Sequence, residues 1–89
     1  MTTIFKYPLI ITDEQILELP LFSQILSVKF QRGELFLWAK VNTDSQSVKT
    51  KIFIYGTGNP IRSKSKMKFV DTVMHFEDSL VWHVFKEIL

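Results

Sequence analysis

The sequence that decides the fold is Leu26-Ser27-Val28-Lys29-Phe30-Gln31-Arg32-Gly33-Glu34-Leu35-Phe36-Leu37-Trp38-Ala39-Lys40-Val41. On either side of Arg32-Gly33 an apolar residue occupies every second position, a period that is typical of half-buried β-strands. Glycine tolerates a positive φ, so the Arg32-Gly33 pair fits a two-residue hairpin turn. The stretch therefore predicts an antiparallel β-hairpin.

Similar runs extend outward from this hairpin in both directions. They predict strands over 3–9, 16–19, 48–55, 69–76 and 80–85, with turn residues at 42–47, 56–60 and 77–79. Pro8 places the first strand at a sheet edge or at a strand end. Six or seven short strands with hairpin-sized connections predict one all-β domain over residues 1–89, an antiparallel small sandwich or barrel.

Two segments leave a helical alternative open. Thr12-Asp13-Glu14-Gln15 has capping-box spacing, but Pro20 would limit a helix there to about two turns, so a turn followed by a strand is preferred. Residues 82–89 end either as strand or as a helical turn. The predicted fold class is therefore all-β, or β-rich with a short helical turn.

The composition favours a dense core and leaves further apolar side chains on the surface. Of the 89 residues, 46% are hydrophobic and 13% are aromatic, and a domain of this size cannot bury every large apolar side chain. Phe36 and Trp38 face away from Leu35, Leu37 and Ala39, so the hairpin needs cover on both faces. A second sheet, a ligand or a partner subunit would supply that cover, and we expect a homo-oligomer.

Cysteine is absent, which excludes disulfides and thiolate metal sites and favours a reducing compartment. The first residues lack the basic start and apolar run of a signal peptide, and no apolar stretch approaches about 18 residues. We therefore expect a cytoplasmic protein with no membrane association.

Charge is distributed unevenly, although the formal net charge is only +2. No acidic residue lies between Asp44 and Asp71, whereas this interval holds six basic residues: Lys49, Lys51, Arg62, Lys64, Lys66 and Lys68. The two glycines of Gly56-Thr57-Gly58-Asn59 allow successive N–H groups to form an anion-binding nest beside these cations. The alternative is a tight loop that ends a strand, followed by a solvated run of cations.

An aromatic platform beside such a loop is what base stacking uses. The candidate ligand-binding residues are accordingly Trp38, Tyr55, Gly56, Thr57, Gly58, Asn59, Arg62, Lys64 and Lys66. For Trp38, a role in an interface between copies of the chain is an equal alternative.

The sequence predicts no catalytic centre. The glycine loop has neither Walker A spacing nor the complete dinucleotide-binding fingerprint. His75 and His83 lie on opposite arms of the last predicted hairpin, but a metal site takes three or four ligands, so both are interpreted as core or interface residues. We expect no enzyme activity, no cofactor and no metal.

Several ordered motifs run through the chain: Lys6-Tyr7-Pro8-Leu9, Ile11-Thr12-Asp13, Leu19-Pro20, Ile25-Leu26-Ser27-Val28, Leu37-Trp38-Ala39, Tyr55-Gly56-Thr57-Gly58-Asn59-Pro60-Ile61 and His83-Val84-Phe85. With these motifs the chain resembles a family of short proteins from tailed bacteriophages and prophages. The likeness covers residues 3–85. The family pattern has a histidine where this chain has Asn59, so no imidazole is available at that point.

The resemblance implies a phage accessory protein made in the host cytoplasm, and small phage proteins of this sort often inhibit host defences. We therefore expect a noncatalytic binding protein that counters host defence by sequestering a nucleotide-type signal molecule. The alternatives are an inhibitor that binds a host defence protein directly, a nucleic-acid-binding regulator and a minor virion component.

Overall fold

The computed structural model describes residues 1–75, 77 and 79–88 and is built from antiparallel strands. The strands are β1 (Thr2–Leu9), β2 (Glu14–Pro20), β3 (Gln24–Gln31), β4 (Glu34–Asn42), β5 (Ser47–Gly56), β6 (Met67–His75) and β7 (Leu80–Glu87). The described residues form no helix, hence none that is long and apolar enough to cross a membrane. The predicted all-β fold class is confirmed.

The strands form two sheets that pack face to face. One sheet has three strands in the order β1-β4-β3, and the other has four in the order β2-β5-β7-β6. The core between them consists mainly of alternate residues that are at most 7% exposed: Leu9, Val28, Leu35, Leu37, Ala39, Val41, Ile52, Ile54, Val73 and Val84. The period-two pattern therefore assigns the inner face of β4 correctly, and the predicted sandwich is confirmed.

The central hairpin forms as predicted between β3 and β4. Its register pairs Gln31 with Glu34 and leaves Arg32 and Gly33 as the turn. Both turn residues have a positive φ, +53° for Arg32 and +80° for Gly33. This conformation is the one that joins right-twisted antiparallel strands through two residues. Pro8 is the penultimate residue of β1, which is an edge strand, also as predicted.

The two helical alternatives are resolved in favour of strand. Residues Glu14–Pro20 pair with β5, and β7 continues as strand to Glu87. The helical turn allowed over 82–89 is therefore wrong, because β5 and β6 on either side engage these residues in sheet pairing. Phe76 of the predicted sixth strand, Asp78 of the predicted turn and Leu89 lie outside the described residues.

The two sheets approach each other along the edge strands β3 and β6, which are not paired as a ladder. A bulge interrupts β3 between Ile25 and Ser27, and another interrupts β6 between Phe69 and Asp71. Bulges bend a strand and disrupt its edge, so they prevent β3 and β6 from pairing with each other to form one continuous sheet. A gap therefore remains between the first halves of β3 and β6.

Candidate functional site

Two aromatic residues of β5 lie on the outer face of the four-stranded sheet. Phe53 and Tyr55 alternate with the core residues Ile52 and Ile54, so they point away from the three-stranded sheet. They are nevertheless only 0% and 3% exposed. Tyr55 is therefore not available for a base to stack on, and its assignment as an exposed stacking residue is wrong.

The residues between β5 and β6 supply this cover. Thr57 Oγ1 shares a hydrogen bond of 2.8 Å with His83 Nε2 at the start of the segment. Lys66 O accepts a hydrogen bond of 2.9 Å from the Ile88 amide at its end. Between these points, the Ser63 amide lies close enough to the Tyr55 phenol to lower its pKa. Residues 57–66, here called the covering segment, thus cross the outer face of the four-stranded sheet.

The glycine loop is a tight turn in which the amide groups on both sides of Gly58 are already engaged. The Asn59 N–H donates to Gly56 O at 3.0 Å, and the Thr57 N–H donates to Val81 O at 3.3 Å. Gly58 has a φ of +88°, a conformation that glycine adopts without strain. Since an anion nest needs successive free N–H groups, this loop does not present the phosphate cradle that the sequence suggested.

The remaining sequence-predicted residues are divided between two outer faces. Arg62, Lys64 and Lys66 are exposed on the covering segment, over the four-stranded sheet. Trp38 lies on the outer face of the three-stranded sheet, because it alternates with the core residues Leu37 and Ala39. The fold therefore keeps Gly56, Thr57, Gly58 and Asn59 together but separates them from Trp38.

Both histidines lie among neighbouring side chains. The His75 ring stacks on Phe30 with 3.9 Å between centroids and 9° between planes. His83 is held between two hydroxyls, with Nε2 at 2.8 Å from Thr57 Oγ1 and Nδ1 at 3.1 Å from Thr72 Oγ1. Within the described part of the chain, no three His, Asp or Glu side chains are grouped to hold a metal ion.

A second candidate site lies on the outer face of the three-stranded sheet. Phe36 and Trp38 are side by side on the central strand β4, with 6.0 Å between ring centroids and 58° between planes. Lys6 lies directly across from Trp38 on β1, and Ile4 lies across from Lys40. These five residues are here called the aromatic face.

The cation of Lys6 has a defined position on the aromatic face. Its Nζ lies 4.4 Å from the centroid of the Phe36 ring and donates to Gln31 Oε1 at 3.0 Å. The ring attracts the ammonium group through its quadrupole, and the amide fixes its direction. Lys6 therefore covers Phe36 and leaves the neighbouring Trp38 ring as the aromatic surface next to a cation.

A concave surface adjoins the aromatic face at the end nearest the β3–β4 turn. It encloses about 340 Å³ and is lined by Lys6, Gln31, Arg32, Glu34 and Phe36. Two cations and an amide meet one carboxylate there, so the lining is net basic. Its volume lies at the lower end of the range for small-ligand sites, roughly 300–1,000 Å³.

The sequence identified only part of this second site. Trp38 was predicted because it alternates with core residues, and Phe36 carries the same signal two positions earlier. Lys6 and Gln31 were missed because they reach the site through pairing of β1 and β3 with β4, and Lys6 precedes Trp38 by about 30 residues. Arg32 was assigned only as a turn residue, although its side chain lines the cavity.

The buried phenol of Tyr55 predicts a pH effect on stability. Burial raises the pKa of Tyr55 above its ordinary value of 10.0, and the negative charges of Asp13 and Glu14 raise it further. The Ser63 amide lowers this pKa but does not cancel the increase. Above about pH 10 the phenol ionises in the unfolded chain but keeps its proton in the folded protein. The folded state then binds more protons, so its stability falls as the pH rises through this range.

Urea unfolding of the wild type and of Tyr55→Phe, at about pH 8.5 and about pH 10.5, measures this contribution. We expect the variant to lose less stability between the two pH values than the wild type. Burial also raises the pKa of Tyr7, which is present in both proteins and cancels in the comparison. Equal losses in the two proteins would contradict the buried position of the phenol.

Seven antiparallel strands in two sheets, with their core between them, define a small all-β sandwich domain. The chain belongs to the family described as domain of unknown function DUF7352, whose family model matches residues 1–88. No curated protein and no solved structure matches it.

Proposed function

We propose that this protein is a noncatalytic binding protein that holds a nucleotide-type molecule on the aromatic face. In the phage setting that the resemblance implies, such binding would sequester a signal of the host defence. The observation that carries the proposal is the basic cavity lined by Phe36, whose ring lies 6.0 Å from the ring of Trp38. It places aromatic rings beside two cations, Lys6 and Arg32, which is the combination that binding of bases and phosphates requires.

The base would stack on the indole of Trp38. A ring on the central strand of a sheet has flanking strands on both sides, so a flat ligand can lie across the sheet as it does in other sheet-based nucleotide binders. Lys40 follows Trp38 by two residues and lies on the same face. The base is thereby bordered by Lys6 on one side and Lys40 on the other.

The phosphate would enter the cavity beside Phe36. Lys6 and Arg32 supply positive charge there, and the Gln31 amide supplies a further donor. Glu34 is the one carboxylate of the lining, and it disfavours a multiply charged phosphate. The balance of charges therefore favours a phosphodiester, which carries a single negative charge, over a terminal phosphate.

Calorimetric titration with adenosine, AMP, a cyclic dinucleotide and a short single-stranded oligonucleotide tests the proposal. We expect the cyclic dinucleotide to bind more tightly than adenosine and AMP, because it combines bases with phosphodiester groups. Trp38→Ala is expected to weaken that binding about tenfold or more, since stacking contributes roughly 1–3 kcal/mol per base. Binding of the oligonucleotide alone would instead assign the face to nucleic acid.

Lys64→Gln is the matched control for charge, because Lys64 is exposed on the covering segment over the opposite sheet. We expect Lys6→Gln to weaken binding of the cyclic dinucleotide and Lys64→Gln to leave it unchanged. If Lys64→Gln weakened binding and Lys6→Gln did not, the ligand would bind at the covering segment instead. Absence of heat with all four ligands at millimolar concentration would overturn the proposal.

A further inference from the structure

The turn between β2 and β3 presents an aromatic side chain to solvent in a strained conformation. Phe22 is 94% exposed and has a φ of +63°. A bulky residue with this backbone conformation is a genuine outlier, because its Cβ crowds the neighbouring carbonyl. In the isolated chain the exposed ring gains almost no burial to offset the strain.

Hydrogen bonds on both sides hold this conformation in place. The Ser23 amide and hydroxyl both donate to Pro20 O, at 3.2 Å and 2.5 Å. The Leu21 amide donates to Gln46 O at 2.8 Å, in the turn that joins β4 to β5. The backbone conformation of Phe22 is therefore determined by its surroundings, and its ring projects into solvent from a fixed backbone position as a knob.

A cavity lies directly beside this knob. It encloses about 440 Å³ in the gap between the first halves of β3 and β6, where the two bulges separate the strand edges. Its lining consists of Ser23, Gln24, Ile25, Lys68, Phe69, Val70 and Lys86. Phe69, which is 54% exposed, presents an aromatic wall to it, and no carboxylate belongs to the lining.

The knob and the cavity are adjacent, so the patch is complementary to itself. We propose that the protein forms a two-fold symmetric homodimer in which Phe22 of each copy inserts into the cavity of the other. A two-fold axis requires this arrangement, in which one patch both gives and receives the same contact. The inserted ring meets Phe69 edge to face or offset and lies near the cations of Lys68 and Lys86.

A second copy is the partner that the patch itself favours, because each copy supplies both the projecting ring and a cavity to receive one. The apolar groups on the patch, Leu21, Phe22 and Phe69, are all at least 41% exposed, and one symmetric contact covers all three in both copies. The resulting interface buries on the order of 1,000 Å², at the lower end for specific association. The dimer is therefore expected to dissociate on dilution.

Sedimentation equilibrium between about 10 µM and about 1 mM tests the proposal, because a small interface predicts weak association in this range. We expect the weight-average mass of the wild type to rise from 10.5 kDa towards twice that value. Phe22→Gly is expected to stay monomeric throughout. Since glycine is unstrained at a positive φ, the melting temperature of this variant should equal or exceed that of the wild type when both are compared at about 10 µM, where the wild type is mostly monomeric.

Two further variants separate this interface from others. Phe22→Asn also tolerates the positive φ and should remain monomeric, which covers the case in which the glycine variant misfolds. Ile10→Ala removes a side chain that is 71% exposed at the opposite end of the sandwich, and it should associate like the wild type. A wild type with constant mass at all concentrations, or Phe22 variants that still dimerise, would overturn the proposal.

The contact can also be located directly. Concentration-dependent amide shifts of the labelled wild type should be confined to residues 21–25 and 68–70. The patch and the aromatic face are distinct, because β3 separates the Phe22 turn from the Arg32 turn by roughly 25 Å. Trp38→Ala should therefore associate with the same concentration dependence as the wild type, and Phe22→Gly should bind nucleotides as the wild type does.

Discussion

Replacing Phe53 with alanine is expected to lower the free energy of unfolding by about 3–5 kcal/mol. Phe53 is 0% exposed although it faces away from the core between the two sheets. Phe53 pairs with Phe85 on β7. It lies two residues before Tyr55, which the covering segment reaches through Ser63, and we expect the same segment to shield Phe53 from water. The substitution would therefore leave a cavity in a second apolar layer, and the surrounding strands cannot collapse to fill it.

Phe36→Ala is the matched control, because Phe36 has the corresponding position on the outer face of the other sheet. Phe36 is only half-buried and has no covering segment, so we expect a loss of about 1–2 kcal/mol. Urea unfolding of both variants at neutral pH measures the difference. Similar losses for the two variants would show that residues 57–66 do not cover the four-stranded sheet in solution.

This contrast also explains why the sequence located the strands but not all of the site. Alternation in β4 and β5 shows which residues share a face, and the turn at Arg32-Gly33 fixes the register of the central hairpin through its backbone geometry. Both signals are local. Whether another part of the chain crosses a given face is a long-range property, so Tyr55 was assigned to the surface although it is buried.

The same limit applies to the composition of the aromatic face. Trp38 carries a local signal because it interrupts the polar side of a strand. Lys6 and Gln31 become its neighbours only through pairing across the sheet, and their identity as polar strand residues is otherwise unremarkable. Phe22 shows the converse case, because nothing in Pro20-Leu21-Phe22-Ser23 predicts that the phenylalanine adopts a positive φ.

Asp71 is a further residue whose importance depends on the fold. Its Oδ2 accepts a hydrogen bond of 3.2 Å from the Val28 amide, and its Oδ1 accepts one of 2.9 Å from the Thr72 amide. Val28 is 0% exposed, so the carboxylate of Asp71 takes the place of water as the acceptor for its N–H. Asp71→Ala is therefore expected to destabilise the protein by about 2–3 kcal/mol, whereas Asp71→Asn keeps an acceptor and should cost clearly less.

The ion pair of Asp71 contributes less than its backbone contacts. Lys29 Nζ lies 3.6 Å from Oδ2, but its side chain is 63% exposed and its charge is screened by water. Asp44 provides the control, because it pairs with the N-terminal amine at only 2.8 Å yet is 84% exposed. We expect hydrogen bonds to buried backbone groups, rather than ion-pair distance, to determine how much each substitution destabilises the protein. Urea unfolding should then show a large decrease in the free energy of unfolding for Asp71→Ala and almost none for Asp44→Ala. Equal losses would mean that the carboxylate does not join β3 to β6 through the Val28 amide.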